Sequence, residues 1–177
     1  SAFTHIAEVP SAYGLDLDSK GDIWFTENIR DGKIGKVDTA TLKVTKFTPP
    51  TNDRPRRVTV DANDNVWFGE FDTGKIGRFD PKTETFREFP LPNPHTAPYA
   101  LKVATDGAIW YSSEHRDLIG RLDPETGKVM EYPLPYTDNG MRDFFLDKQG
   151  RLWFGTPPNN KIGYFYFADR QRRAEAK

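Results

Sequence analysis

The chain has 177 residues, 36% hydrophobic and 14% aromatic, which is enough to bury a core and too apolar for a disordered tail. Lys and Arg total 25 against 26 Asp and Glu, a formal net charge of -1, so no global field draws in nucleic acid or an anionic membrane, and neither is expected as a partner. The absence of cysteine excludes disulfides and thiol catalysis, and no apolar run approaches the roughly 18 residues of a membrane-crossing helix.

Taken in chain order, Ser1-Ala2-Phe3-Thr4 lacks the basic and apolar segments of a secretion signal. Ile6-Ala7-Glu8-Val9-Pro10 then reads as a lone strand, because it matches Val129-Met130-Glu131-Tyr132-Pro133 further on. Four repeats follow. Their anchors, Trp24, Trp67, Trp110 and Trp153, stand 43 residues apart, each in one phrase: Asp22-Ile23-Trp24-Phe25, Asn65-Val66-Trp67-Phe68, Ala108-Ile109-Trp110-Tyr111 and Arg151-Leu152-Trp153-Phe154. A strand precedes each phrase (Leu15 to Leu17, Val58 to Val60, Leu101 to Val103, Phe144 to Leu146), and a third strand carries an Ile-Gly pair (Ile34-Gly35, Ile76-Gly77, Ile119-Gly120, Ile162-Gly163). A fourth strand closes three of the repeats at Val44 to Phe47, Phe86 to Phe89 and Val129 to Tyr132, whereas the last repeat stops after its third. Short alternating strands at a period in the low forties are the pattern of propeller blades, since helical repeats need apolar spacings of three and four. The tryptophans are core anchors, each indole N–H tied to a backbone acceptor.

The expected fold is therefore an all-β propeller of four four-stranded blades, near 10–50, 51–92, 93–135 and 136–168, with residues 1–10 supplying the strand that completes the last blade and 169–177 forming a polar tail. Three arrangements satisfy that strand count: a single four-bladed ring, a homodimer closing one eight-bladed ring, or part of a larger propeller.

In a propeller the loops between the fourth strand and the next blade, and between the second and third strands, surround the channel mouth. Aligned on the tryptophan, one mouth position reads Tyr13, Arg56, Tyr99, Arg142, an alternation that a repeating scaffold does not need. These four are the expected contacts for a small-molecule ligand with a carbonyl or anionic group, Arg offering paired donors. His95 and His115 fall on the same face as candidate bases, with Glu114 to orient His115. The position three after the tryptophan reads Glu27, Glu70, Ser113, Thr156, so carboxylates are confined to half the ring; Glu27 and Glu70 are the candidate metal ligands, with capping of their own loops as the plainer reading.

The phrase Asp18-Ser19-Lys20-Gly21-Asp22-Ile23-Trp24-Phe25-Thr26-Glu27, followed by Lys33-Ile34-Gly35-Lys36-Val37-Asp38, resembles the virginiamycin B (streptogramin) lyase family over nearly the whole chain. The resemblance implies a propeller enzyme of seven blades that opens a cyclic depsipeptide lactone by elimination, with Mg²⁺, a His base and a Glu-x-His pair on one face. This chain has four repeats and no Glu-x-His; Glu114-His115 stands nearest to it. The expected function is opening of a lactone or ester, by a lyase or hydrolase reaction, at the channel mouth, and the alternative is a non-catalytic ligand- or protein-binding propeller.

Overall fold

The computed structural model describes residues 4–6, 8, 9, 11–51 and 53–166; the proposed tail at 169–177 and much of the N-terminal strand lie outside them. The described residues form a propeller of four antiparallel sheets. The first holds β1 (Ala12–Leu17), β2 (Ile23–Glu27), β3 (Ile34–Val37) and β4 (Val44–Phe47), and the second β5 (Pro55–Val60), β6 (Val66–Glu70), β7 (Lys75–Asp80) and β8 (Thr85–Pro90). The third holds β9 (Pro98–Val103), β10 (Ile109–Ser113), β11 (Leu118–Leu122) and β12 (Val129–Pro133), and the fourth β13 (Phe144–Leu146), β14 (Leu152–Thr156) and β15 (Lys161–Phe165). Residues 4–6, 8 and 9 belong to no strand, so among the described residues the fourth sheet has three strands. The inner strands lie side by side, β1 against β5, β5 against β9 and β9 against β13. No helix among the described residues is long and apolar enough to cross a membrane.

Each blade is built from three local devices. An Asp six residues before the tryptophan opens the turn between the first two strands: Asp61 accepts the backbone N–H groups of Asn63 and Asn65 at 2.9 Å each. Its second oxygen takes the indole N–H of Trp67 at 2.9 Å, and Asp18 and Asp147 do the same for Trp24 at 3.1 Å and Trp153 at 2.8 Å. The indole acceptor is thus a carboxylate, correcting the expected backbone carbonyl, and one charged group satisfies both turn and core anchor. The third repeat has Ala104 at this position. The turn then passes through a left-handed residue, Gly21, Gly107 or Gly150, with Asp64 adopting φ 66° in the second repeat.

The Ile-Gly pair is explained by cross-strand packing. Phe25, Phe68, Tyr111 and Phe154 stand directly opposite Gly35, Gly77, Gly120 and Gly163. In the first three blades the ring covers the glycine so closely that a Cβ there would overlap it. The Ile side chain instead faces the next blade, as does the tryptophan. Trp24 and Ile34 pack on Val58, Val66, Phe68 and Phe79; Trp67 and Ile76 pack on Leu101, Ile109 and Tyr111; Trp110 and Ile119 pack on Phe144 and Leu152. Three junctions of one design hold the four sheets together.

Candidate functional site

The inner strands of the first three blades start earlier than the sequence pattern indicates, and the extra residues form the mouth; the fourth begins at Phe144, as expected. In β1 the register runs from Ala12 opposite Glu27 to Leu15 opposite Phe25, so Tyr13 and Gly14 together face Thr26 alone. The same irregularity places Arg56 and Arg57 against Gly69, and Tyr99 and Ala100 against Ser112. A β-bulge bends its strand and re-aims the side chain there. Three bulges at equivalent places turn Tyr13, Arg56 and Tyr99 toward one another. Thr26 steadies the first, accepting from Gly14 N–H at 3.0 Å and donating to the Arg56 carbonyl.

Tyr13 and Tyr99 meet edge to face, ring centroids 6.1 Å apart, and their hydroxyls are hydrogen-bonded across the channel. The Arg56 guanidinium sits 4.1 Å from the Phe71 ring centroid, 5.3 Å from Tyr99 and 5.6 Å from Tyr13, an aromatic cage for a cation. Arg57 lies 5.2 Å over the other side of Tyr13. Among the described residues neither arginine side chain makes a hydrogen bond or ion pair, and the Nε of each is buried without an acceptor. Buried donors in folded proteins are ordinarily satisfied, so two adjacent unsatisfied ones mark a place where an acceptor belongs.

Phe71 and Asp53 belong to this site although nothing in the repeat singled them out. Asp53, 4% exposed, accepts the backbone N–H of Asp72 at 2.8 Å and of Thr73 at 3.0 Å and the Thr73 hydroxyl at 2.6 Å, which fixes the loop that carries Phe71. Arg54 clasps Asp72 through two bonds of 2.8 and 2.7 Å. The one available signal was an aromatic at 71 where the other repeats have Asn28, Glu114 and Pro157.

The remaining candidates are placed differently. His115 joins the cage, its exposed imidazole edge-on to Phe71 at 5.2 Å. His95 is exposed in the loop before β9, where its backbone N–H bonds to Asn93, and its ring has no hydrogen-bond or ring partner among the described residues. Glu114 does not orient His115. It pairs with Arg142 at 3.4 Å. Arg142, with its side chain 67% exposed, precedes a three-residue β13 that has no bulge, so it does not enter the cage.

Glu27 and Glu70 lie below the mouth, as buried as Ser113 and Thr156 at the same position. This position closes the loop between the second and third strands: Glu27 accepts Lys33 N–H at 3.3 Å and Ser113 accepts Arg116 N–H at 2.9 Å. The other Glu27 oxygen is held by Lys46 at 2.7 Å. The equivalent of Lys46 beside Glu70 is Glu88, itself bound to Lys75 at 2.7 Å. Burial first, and then the Glu88 carboxylate, push Glu70 up to about 8. One acid is thus ion-paired and the other protonated, and among the described residues no three His, Asp or Glu are grouped to hold a cation. The donor set does not fit the Mg²⁺ that the resemblance implies.

Because the pKa of Glu70 is raised above the ordinary carboxylate value, its neutral form favours the fold. That contribution is complete below about pH 4.5 and is lost as pH rises toward 8. Glu70→Gln, neutral throughout, is expected to gain on the order of 4 kcal/mol over the parent at the alkaline end of this window and nothing at the acid end. Urea unfolding of both proteins across that range measures it, and parallel pH curves would refute it.

The sequence profile of the virginiamycin B lyase family matches residues 3–170. The chain belongs to that family. A streptogramin B lyase structure is similar at 27% identity and TM-score 0.78, over 89% of this chain and 55% of that one. A catalytically inactive virginiamycin B lyase from Staphylococcus aureus, crystallised with quinupristin, is similar at 26% identity and TM-score 0.79, over 94% of this chain and 59% of that one. This family member therefore spans somewhat more than half the length of those lyases. The WD40 propeller domain of Doa1, at 18% identity and TM-score 0.74 over 90% of this chain and 52% of that one, shares the fold. No curated protein sequence matches the chain.

Proposed function

We propose that the mouth of this propeller binds a small molecule through an ester or carboxylate oxygen, which Arg56 receives while Tyr13, Tyr99 and Phe71 pack on the apolar body of the ligand. The observation that carries this reading is the pair of arginines without an acceptor beside three aromatic walls. A guanidinium held between rings keeps its planar fork available for a carbonyl or carboxylate, and its weak hydration makes desolvation there inexpensive.

Family membership extends the reading to ring opening of a cyclic ester. His115 takes a proton from the carbon next to the one bearing the ester oxygen, the carbon–carbon double bond forms, and the carbon–oxygen bond breaks to release a carboxylate that Arg56 neutralises. A second reading, binding without chemistry, is favoured by the Glu114–Arg142 pair, which leaves His115 without a carboxylate to orient it.

Quinupristin, the ligand of the related lyase structure, is the probe. Calorimetric titration is expected to show saturable binding that Arg56→Ala weakens at least about tenfold and Arg56→Lys does not restore, since an ammonium lacks the fork. Equal affinity in Arg56→Ala would overturn the binding reading. Chromatography with mass detection tests the chemistry, because elimination yields a ring-opened product of unchanged mass and hydrolysis adds one water. A product that persists in His115→Ala rules out the role given to that residue, and no product in the parent leaves binding alone.

A further inference from the structure

At the end of their junction remote from the mouth, the second and third blades part to leave a cleft of about 660 Å³, bounded by the turns that follow their first and third strands. Two departures from the repeat open it. At the first junction Ser19 ties the blades together, donating its backbone N–H and its hydroxyl to the Asp64 carboxylate at 2.8 Å each. The same places at the second junction hold Ala62 and Gly107, a methyl and a hydrogen, and neither can make that bond. The third repeat also has Ala104 where the others have an Asp, so a methyl group stands in for a carboxylate on the cleft wall.

Charge on the second-blade wall is out of balance for equally local reasons. Each of the first three blades carries a cation two residues after its Ile: Lys36, Arg78 and Arg121. Lys36 lies 3.0 Å from Asp18 and 2.8 Å from Asp22, and Arg121 lies 3.2 Å from Asp106. Arg78 meets instead the neutral Asn65, which takes the place of Asp22 in the repeat, and donates to its Oδ1 at 2.7 Å. The guanidinium sits 5.7 Å over the Trp67 ring, and its Nε is buried without an acceptor among the described residues. Directly opposite Arg78 on the next strand is a second cation, Arg87, where the first and third blades have Thr45 and Met130. Arg87 lies 4.3 Å over the Phe89 ring and reaches the Pro124 carbonyl of the third blade at 3.4 Å, so it spans the cleft.

Like charges directly opposed across a ladder repel, and an anion bound between them removes that repulsion. The acids nearby are already engaged. Asp61 accepts from Trp67, Asn63 and Asn65, Asp106 is paired with Arg121, and Asp80 and Asp123 accept backbone N–H groups of their own turns. Glu125 stands exposed at the rim.

We propose that this cleft is a second ligand site, separate from the mouth, which takes a small doubly charged oxyanion between Arg78 and Arg87. Two adjacent guanidiniums without a carboxylate partner match two negative charges, which a phosphate ester and a dicarboxylate both supply. The volume falls in the range of about 300–1,000 Å³ usual for small-molecule sites.

Calorimetric titration of the 177-residue chain with inorganic phosphate, and separately with succinate, tests the site. At least one of the two is expected to bind saturably below about 10 mM, and Arg87→Met to weaken that binding at least about tenfold. Methionine keeps the apolar stem over Phe89 and is the residue the third blade carries at this place, so the circular dichroism of the variant should match the parent. Lys148→Ala, which removes an exposed positive charge from a turn of the fourth blade, is expected to leave the affinity unchanged. Equal affinity in Arg87→Met overturns the site, as does saturation by neither ion. An equal loss in Lys148→Ala overturns it too, since the attraction is then diffuse. Binding of phosphate alone assigns the cleft to phosphate esters, and binding of succinate alone to dicarboxylates.

Discussion

Trp67→Ala is expected to lower the unfolding free energy by about 3–5 kcal/mol, read as a shift in the urea midpoint. The indole is 2% exposed, lies 5.6 Å from the Phe89 ring and packs on Leu101, Ile109 and Tyr111 of the next blade, so its removal opens a cavity at a junction rather than at a surface. It also leaves Asp61 without the N–H it accepts at 2.9 Å. Trp67→Phe is expected to recover most of the packing but not this bond, at a residual cost of about 1–3 kcal/mol. Trp153→Ala should cost less than Trp67→Ala, because among the described residues no following blade lies against Trp153. Equal losses at the two positions would refute the assignment of junction packing as the cause.

The second large effect is at a residue that adds no atoms to the core. Gly120→Ala is expected to destabilise by about 1–3 kcal/mol, the range for overpacking a filled interior. A Cβ at Gly120 would overlap the Tyr111 ring, and that ring cannot swing away. Tyr111 is 0% exposed and its hydroxyl donates to Glu131 at 2.9 Å. Burial and the Glu131 carboxylate both raise its pKa, so it stays a donor. Gly163→Ala provides the contrast, since the nearest Phe154 atom is 3.4 Å from the added carbon and the site can accept it. Thermal melts of the two variants should differ clearly; equal melting points would remove the ring-on-glycine contact as the reason for the Ile-Gly repeat.

These two cases show where sequence reading succeeds. A tryptophan every 43 residues and a glycine at a fixed distance after it are legible because each blade solves the same packing problem with the same residues. The inner strands at Leu15, Val58 and Leu101 were legible for the same reason, being apolar at alternate positions. Their N-terminal extensions were not, because a bulge puts two residues where a ladder expects one and so breaks the alternation that sequence reading relies on. The Tyr13–Arg56–Tyr99 cage rests on those bulges. The alternation of Tyr and Arg along the aligned repeats flagged the residues. It did not distinguish Arg56, which enters the cage, from Arg142, which pairs with Glu114 outside it.

Glu27 and Glu70 illustrate the same divide. They occupy one repeat position and carry one charge in the sequence, yet Lys46 holds the first in a salt bridge, whereas burial first and then Glu88 at the equivalent place push the second up to about 8. The ionisation of a buried carboxylate is decided by what lies within a few ångströms across the blade, and that neighbour is many residues away along the chain.

By itself, then, the sequence determined the propeller, its period and its family, because those follow from local alternation and from contacts repeated in every blade. The tertiary structure alone decided which mouth residues converge and which of the two buried acids is pushed toward its neutral form. Each of these depends on side chains brought together from different blades, and their strand register, bulges and burial are set only when the sheets pack.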